Sequence, residues 1–297
     1  MLEHLAIIRF IGSDAQSFLH GQLTCDVNAL NPGKAGFGGY CTPKGRLLAT
    51  FLLAAEAAEQ FTMILPAALA APVAKRLSMY VLRAKVKTEA GSVSGIAGFT
   101  ADTGAAACAT LGLAPPERAF TLTVAPASRD ACSALRLGDG RLLIWGDATP
   151  LATLPCQLDS AVWQAADIVA GLPWVTPPTQ EEFVPQMVNL DLVGGLSYQK
   201  GCYPGQEIVA RTHYLGRLKQ RLFRAKVAAT AQAGDKLFSD DLGDQASGMI
   251  LNAVADGRGG SDVLAVLRLD SLQQTGYHVG NPQGPALTID TLPYEVK

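Results

Sequence analysis

Residues 196–217, LSYQKGCYPGQEIVARTHYLGR, gather a thiol at Cys202, an ammonium at Lys200, a carboxylate at Glu207 and a guanidinium at Arg211 into one short stretch. Cys202 is the candidate for covalent chemistry, because a thiolate is both a nucleophile and a soft metal ligand. Gly201, Pro204 and Gly205 punctuate a tight turn. Ile208, Val209, Ala210 and Leu215 then follow at helix-compatible spacing, with Gly216 as the expected stop. Cys202 is therefore expected just ahead of a helix N-terminus. There the partial positive charge of unpaired N–H groups, with Lys200 nearby, favours thiolate over thiol. The competing reading is that Cys202 only fills space, as free cysteines commonly do. The stretch by itself leaves both readings open.

The string Lys200-Gly201-Cys202-Tyr203-Pro204-Gly205-Gln206-Glu207, followed by Val209-Ala210-Arg211, resembles the signature of the YgfZ family of folate-binding proteins. Those proteins are similar to the T-protein (aminomethyltransferase) of the glycine cleavage system. Upstream, Glu182-Phe183-Val184-Pro185-Gln186, Asn189-Leu190 and Gly194-Gly195 also look like this family, and Gly12 with residues 20–27 resembles its opening block. The resemblance covers three blocks, about 12–27, 40–46 and 163–217. It implies an α+β, GcvT-like fold: two interleaved α+β subdomains over residues 1–215, then a small antiparallel β-barrel over 216–297. It also implies tetrahydrofolate or a folate derivative as cofactor. The implied partners are iron–sulfur enzymes, including those that modify tRNA, or cluster-assembly proteins.

Site residues follow from the resemblance one by one. A tryptophan matching Trp163 borders the folate site in bacterial relatives, where a flat indole can stack on a flat pterin; from pattern alone Trp163 is a core residue on a helix. The family's second aromatic corresponds here to Leu5, which leaves an apolar wall and removes part of the stack. Arg211 is the first candidate for the carboxylates of a folate glutamate tail. Lys200, Tyr203, Gln206 and Glu207 complete the candidate folate-contacting set, with Cys202 as the candidate reactive group. T-proteins place an aspartate pair after a Lys-Gly turn, whereas Lys44-Gly45-Arg46-Leu47-Leu48 is followed by Ala49 and Thr50. Neither can act as a carboxylate base, which argues against aminomethyl transfer.

Composition narrows the rest. A chain of 297 residues that is 48% hydrophobic and 17% charged has the apolar content to fold into two or three modest cores. A net charge of -2 exerts no overall pull on nucleic acid, so RNA contact would need a local patch. Such a patch is suggested by Arg211, Arg217, Lys219, Arg221, Arg224 and Lys226, which cluster in a run without acids. A solvated face, a folate-tail site and a phosphate site are the three readings of that run. The six cysteines show no CxxC pair or histidine cluster, so no metal site or disulfide is expected. The opening residues lack a basic n-region and no apolar run is long enough to span a bilayer, from which a cytoplasmic location away from membranes is expected.

The elements that must position these residues alternate. Residues 5–11 read as a strand, and Ser13 with Gln16 have capping-box spacing ahead of a helix. Residues 37–41 and 46–54 form a hairpin through Thr42-Pro43-Lys44-Gly45, and 61–65 add a strand. Leu69, Val73, Leu77 and Tyr80 mark one helical face, and 86–89 return to strand. A helix over 104–112, strands near 120–125 and 134–145, and a helix over 159–170 closed by Gly171 follow. Beyond 216, short β-like runs at 218–227, 237–238, 248–254, 263–269 and 287–289 are separated by turn residues. No Gly-rich phosphate loop opens a helix, so neither NAD nor ATP is implied.

Three functions remain: a tetrahydrofolate-binding accessory factor for iron–sulfur enzymes, including tRNA-modifying ones; a folate-dependent one-carbon (aminomethyl) transferase; and an RNA-binding module in direct contact with tRNA. The last is weakened by the overall acidity and by the few aromatics among the cations.

Overall fold

A computed structural model describes residues 1–90, 94–125, 132–214, 216–272 and 276–296. The chain forms β1 (Leu5–Ile11), α1 (Ala15–His20), β2 (Lys34–Cys41), β3 (Leu47–Ala57), β4 (Gln60–Pro66), α2 (Ala67–Ser78) and β5 (Lys87–Ala90). Their strands make a five-stranded sheet in the order β2-β3-β4-β1-β5. β1 pairs antiparallel with β4 from Leu5 opposite Pro66 to Ile11 opposite Gln60. Isoleucines and phenylalanine suit that position, since branched and aromatic side chains pack well on a pleated, buried surface. On α2, Leu69, Val73 and Leu77 form the buried stripe. Tyr80, expected on the same stripe, lies past the helix end and is exposed. The capping box expected of Ser13 and Gln16 does not form. Asp14 takes the N-cap place without a side-chain cap bond, its carboxylate accepts the Lys85 N–H at 2.7 Å, and Gln16 donates to the Val27 carbonyl.

The chain continues through β6 (Ser94–Phe99), α3 (Ala101–Thr110), β7 (Leu122–Val124), β8 (Ser133–Arg136), β9 (Leu142–Asp147) and α4 (Ala148–Ala152), giving a four-stranded sheet in the order β6-β9-β8-β7. α3 begins earlier than periodicity suggested because Thr100 and Thr103 form a reciprocal capping box. Phe99, Cys108, Leu142, Ile144 and Leu151 build its core. Glu56 on β3 accepts from Trp145 and Ser133 of this sheet and from Gln60 and Thr62 of the first, so one carboxylate laces the two together.

α5 (Ser160–Val169) and α6 (Gln206–Tyr214) precede β10 (Gln220–Val227), β11 (Lys236–Ser239), β12 (Ala246–Ala255), β13 (Ser261–Arg268), β14 (Tyr277–Val279) and β15 (Leu287–Asp290). These six strands form a curled antiparallel sheet, β14-β11-β12-β13-β10-β15, whose end strands are bridged at His278 and Ala286. Joining the ends removes exposed edges and makes a small barrel. Val263, Ala265 and Leu267 alternate into its core with Ala225, Val227, Leu237 and Ile250. β14 escaped the sequence reading because three residues are too few to show a period.

The fold is thus α+β, and it divides into two units: Met1–Gly38 with Phe51–Trp163, and Gly39–Thr50 with Gln164–Lys297. The second unit takes the turn between β2 and β3 together with everything after the first turn of α5. Residue 216, where the barrel was expected to begin, lies inside it, shortly ahead of β10. No described helix is long and apolar enough to cross a membrane.

Candidate functional site

Cys202 lies in an irregular stretch a few residues before α6, and its side chain is exposed. The loop carrying it has a core of its own, made by Leu196, Tyr203 and Val209 with Tyr198 packed against them. Lys200 is buried, with Nζ 5.0 Å from the centre of the Tyr203 ring. Burial raises the Tyr203 phenol, and Cys41 and Tyr198 add to the shift. Burial likewise pushes the Cys41 thiol up to about 12. Gln206 and Glu207 open α6. Arg211 occupies its last turn and is exposed. Leu215 lies outside the described residues, and Gly216 does not take the left-handed conformation of a glycine stop.

Two turns that are 160 residues apart in sequence meet at this loop. Gly205 adopts φ +84°, and a Cβ there would lie 2.5 Å from the Thr42 carbonyl oxygen and 2.6 Å from the Gly45 Cα. Gly45, at φ +71°, in turn faces Ile208 of α6 and the Gly205 carbonyl. The β2–β3 turn is closed by the Gly45 N–H on the Thr42 carbonyl and the Thr42 N–H on the Arg46 carbonyl. Only glycine supplies both the positive φ and the missing Cβ at such a contact.

The upstream motif clamps this assembly. Gln186, buried, donates to the Val209 carbonyl of α6 at 2.8 Å. Asn189, in the left-handed conformation, donates to the Leu222 carbonyl and accepts the Leu222 N–H, pairing with β10 as a strand would. Asp191 receives both terminal nitrogens of Arg221, at 2.7 and 3.1 Å. Arg221 also donates to the Gln186 carbonyl. A planar fork answered by a carboxylate and a carbonyl is what a buried guanidinium requires.

Ala49 and Thr50 are fully buried on β3. The Thr50 hydroxyl donates to the Pro173 carbonyl at 2.7 Å and accepts the Val175 N–H at 2.9 Å, so it serves as a stitch between two segments of chain. No carboxylate stands at either position.

Trp163 and Leu5 belong to the first unit and are both buried. The Arg141 guanidinium lies 4.2 Å over the indole and donates to the Trp163 carbonyl. Gly98 leaves room for the benzo ring, where a Cβ would overlap Cε3. The indole Nε1–H is buried with no acceptor among the described residues.

The cationic run stays together only in its first half. Arg221 is spent on Asp191, and Arg224 pairs with Asp290 of β15 at 3.3 Å. Strand alternation sends neighbouring side chains to opposite faces, which no count along the sequence reveals. The first half of the run, Arg211, Arg217 and Lys219, converges with two cations from outside it. Arg46, Arg211, Arg217, Lys219 and Arg268 line a hollow of about 540 Å³ within the second unit, with no acidic residue lining it. At the end of α6, Tyr198 stacks on His213, with ring centres 3.8 Å apart and planes 16° from parallel. Tyr214 stands edge-on to both. Arg46, Arg268 and this aromatic trio were not anticipated, because no motif or local spacing links them. Among the described residues, no group of three or more His, Cys, Asp or Glu is placed to hold a metal ion.

This architecture is that of the glycine-cleavage T-protein. The chain superposes on the crystal structure of the glycine cleavage system aminomethyltransferase T from Bartonella henselae with a TM-score of 0.77, covering 98% of this chain and 84% of that one at 18% identity. It is 33% identical to the tRNA-modifying protein YgfZ of Edwardsiella ictaluri, over 97% of this chain and 89% of the relative. It is 30% identical to the protein of that name from Vibrio vulnificus (strain CMCP6), over 100% of this chain and 92% of the relative. The chain belongs to the YgfZ family. No protein-family model matches it.

Proposed function

We propose that the chain is a tetrahydrofolate-binding accessory protein in tRNA modification, acting in the cytoplasm in support of iron–sulfur enzymes, with the Cys202 thiol as its reactive group. The observation that carries this reading is the exposed Cys202 on a loop packed around Leu196, Tyr203 and Val209 ahead of α6. A thiol that only filled space would be enclosed, as Cys25, Cys41, Cys108 and Cys132 are; Cys156 is exposed too, but lies outside the signature. The names of the relatives, and membership of the same family, support the tRNA part.

The residues fit a folate in one respect and resist it in another. The unpartnered Trp163 Nε1–H is a donor awaiting an acceptor, and Leu5 is apolar and buried in the same unit. The face of the indole, however, is occupied by Arg141. On this reading the indole contributes its N–H, and stacking requires Arg141 to withdraw. A bound tetrahydrofolate would supply a one-carbon carrier. Aminomethyl transfer is the weaker reading, because Ala49 and Thr50 offer no carboxylate. On this reading residues 1–215 make up the folate-binding module, with Lys200, Tyr203, Gln206, Glu207 and Arg211 as its signature residues.

Titration with tetrahydrofolate is expected to quench tryptophan fluorescence, and Trp163→Phe to remove most of that change while Trp145 and Trp174 remain. A flat titration of the unaltered protein would sink the folate reading.

A further inference from the structure

The hollow at the end of α6 shares Arg211 with the folate reading, and its other cations lie outside that reading. Its five cations come from separated parts of the chain: Arg46 beside the β2–β3 turn, Arg211 in α6, Arg217 and Lys219 ahead of β10, and Arg268 at the end of β13. Arg217 and Arg268 share the single carboxylate of Asp270, at 3.1 and 3.8 Å. Arg211 and Lys219 make no ion pair with any described residue. A concave surface lined by one sign of charge focuses its potential and attracts anions.

His213 and Tyr214 of the aromatic trio belong to α6, the helix that sends Arg211 and Thr212 into the hollow. Tyr214 is one helical turn beyond Arg211, so both side chains leave the same side of α6. Its ring is 65% exposed while Tyr198 and His213 hold it from the inside. An exposed flat ring beside a row of cations is the arrangement that receives a base and its phosphates together. A folate is served less well here, because small-molecule sites bury most of their ligand and this ring faces solvent. Arg211, His213, Tyr214, Arg217 and Lys219 are already neighbours in the sequence, and the fold adds Arg46 and Arg268 to the cations.

We propose that the surface formed by Arg46, Arg211, Lys219 and Tyr214 binds a single-stranded segment of RNA, with phosphates in the hollow and a base against Tyr214. The assignment does not depend on folate binding at all.

The test is fluorescence anisotropy of a labelled single-stranded RNA dodecamer with the full-length protein, in the absence of folate, over a series of salt concentrations. Binding is expected to weaken steeply with salt, with a logarithmic slope of about -0.7 for each phosphate engaged. Arg211→Gln with Lys219→Gln is expected to shrink that slope by about two such steps. Tyr214→Ala is expected to lower affinity about 5- to 100-fold with the slope unchanged, the signature of a lost stack. Since all three side chains are at the surface, unchanged thermal melting would show that the variants are folded. Competition by unlabelled tRNA would support the assignment. Absent binding, binding indifferent to both variants, or equal binding of free mononucleotide would each overturn it. So would loss of pteroylpolyglutamate affinity in the cation variant without any RNA affinity to lose, which would give the hollow to a folate tail. In that last case the folate proposal survives, so the two ideas fail separately.

Discussion

Two side chains illustrate how surroundings decide chemistry. Cys202 and Cys41 belong to the same unit, yet one is exposed and the other has its thiol pushed up to about 12 by burial. Brief alkylation of the native protein at pH 8 should therefore modify Cys202 and Cys156 and spare Cys25, Cys41, Cys108 and Cys132, as read by peptide mass spectrometry. Modification of Cys41 at a comparable rate would contradict the packing of the loop. Cys202→Ala should leave the melting temperature within about a degree, since an exposed side chain contributes little to stability. In cells it should lower the output of iron–sulfur tRNA-modifying enzymes. His4 is a second case: burial lowers its imidazole from 6.5 to about 4, with Ser160 Oγ 3.0 Å from Nδ1. Between those pH values the unfolded chain holds a proton that the folded chain does not. The contribution is thus complete above about pH 6.5 and is lost as pH falls toward 4. Partial exposure and screening limit it to the order of 1 kcal/mol. Comparing thermal melts at pH 7 and 4.5, the unaltered protein should lose more stability than His4→Leu.

At the scale of elements, the critical event is the docking of the Pro204-Gly205 turn on the β2–β3 turn. A methyl group at 205 meets backbone, which cannot swing aside as a side chain can, and the residue's φ of +84° disfavours any Cβ. Gly205→Ala should destabilise the protein by about 1–3 kcal/mol, seen as a lowered urea midpoint with little change in slope. Gly243, at φ +53° with open space around it, isolates the conformational part; alanine there should cost less because nothing is displaced. Equal effects at the two positions would show that the contact between the turns contributes nothing. The clamp by Gln186, Asn189 and Asp191 works at the same scale, holding α6 and β10 by bonds to main chain and to Arg221.

For the whole molecule, the T-protein fold is preserved, and within it Ala49 and Thr50 are committed to structure. Thr50 spends its hydroxyl on Pro173 and Val175, and Ala49 is enclosed. Incubation with tetrahydrofolate and an aminomethyl donor should consequently give no product above background. Thr50→Asp should not create turnover; placing a carboxylate where the environment is fully buried and the partners are a carbonyl and one N–H should lower stability instead, by several kcal/mol. Turnover by the unaltered protein would restore the transferase reading.

Local chemistry was legible in the chain. The turn glycine at 205, the helix after Gln206, the strand pattern of residues 5–11 and the apolar run of β13 are all set by propensities and periods acting over a few residues. They located Cys202 ahead of a helix and the barrel after 216. What those elements would face was decided in three dimensions. The meeting of Gly45 with Gly205, the cover of Arg141 on Trp163, the pairing of Arg221 with Asp191, and the gathering of Arg46 and Arg268 with Arg211 all join residues that lie apart in sequence. Periodicity states which face of an element is apolar but carries no record of the partner that covers it, because that choice is made by packing the whole chain at once.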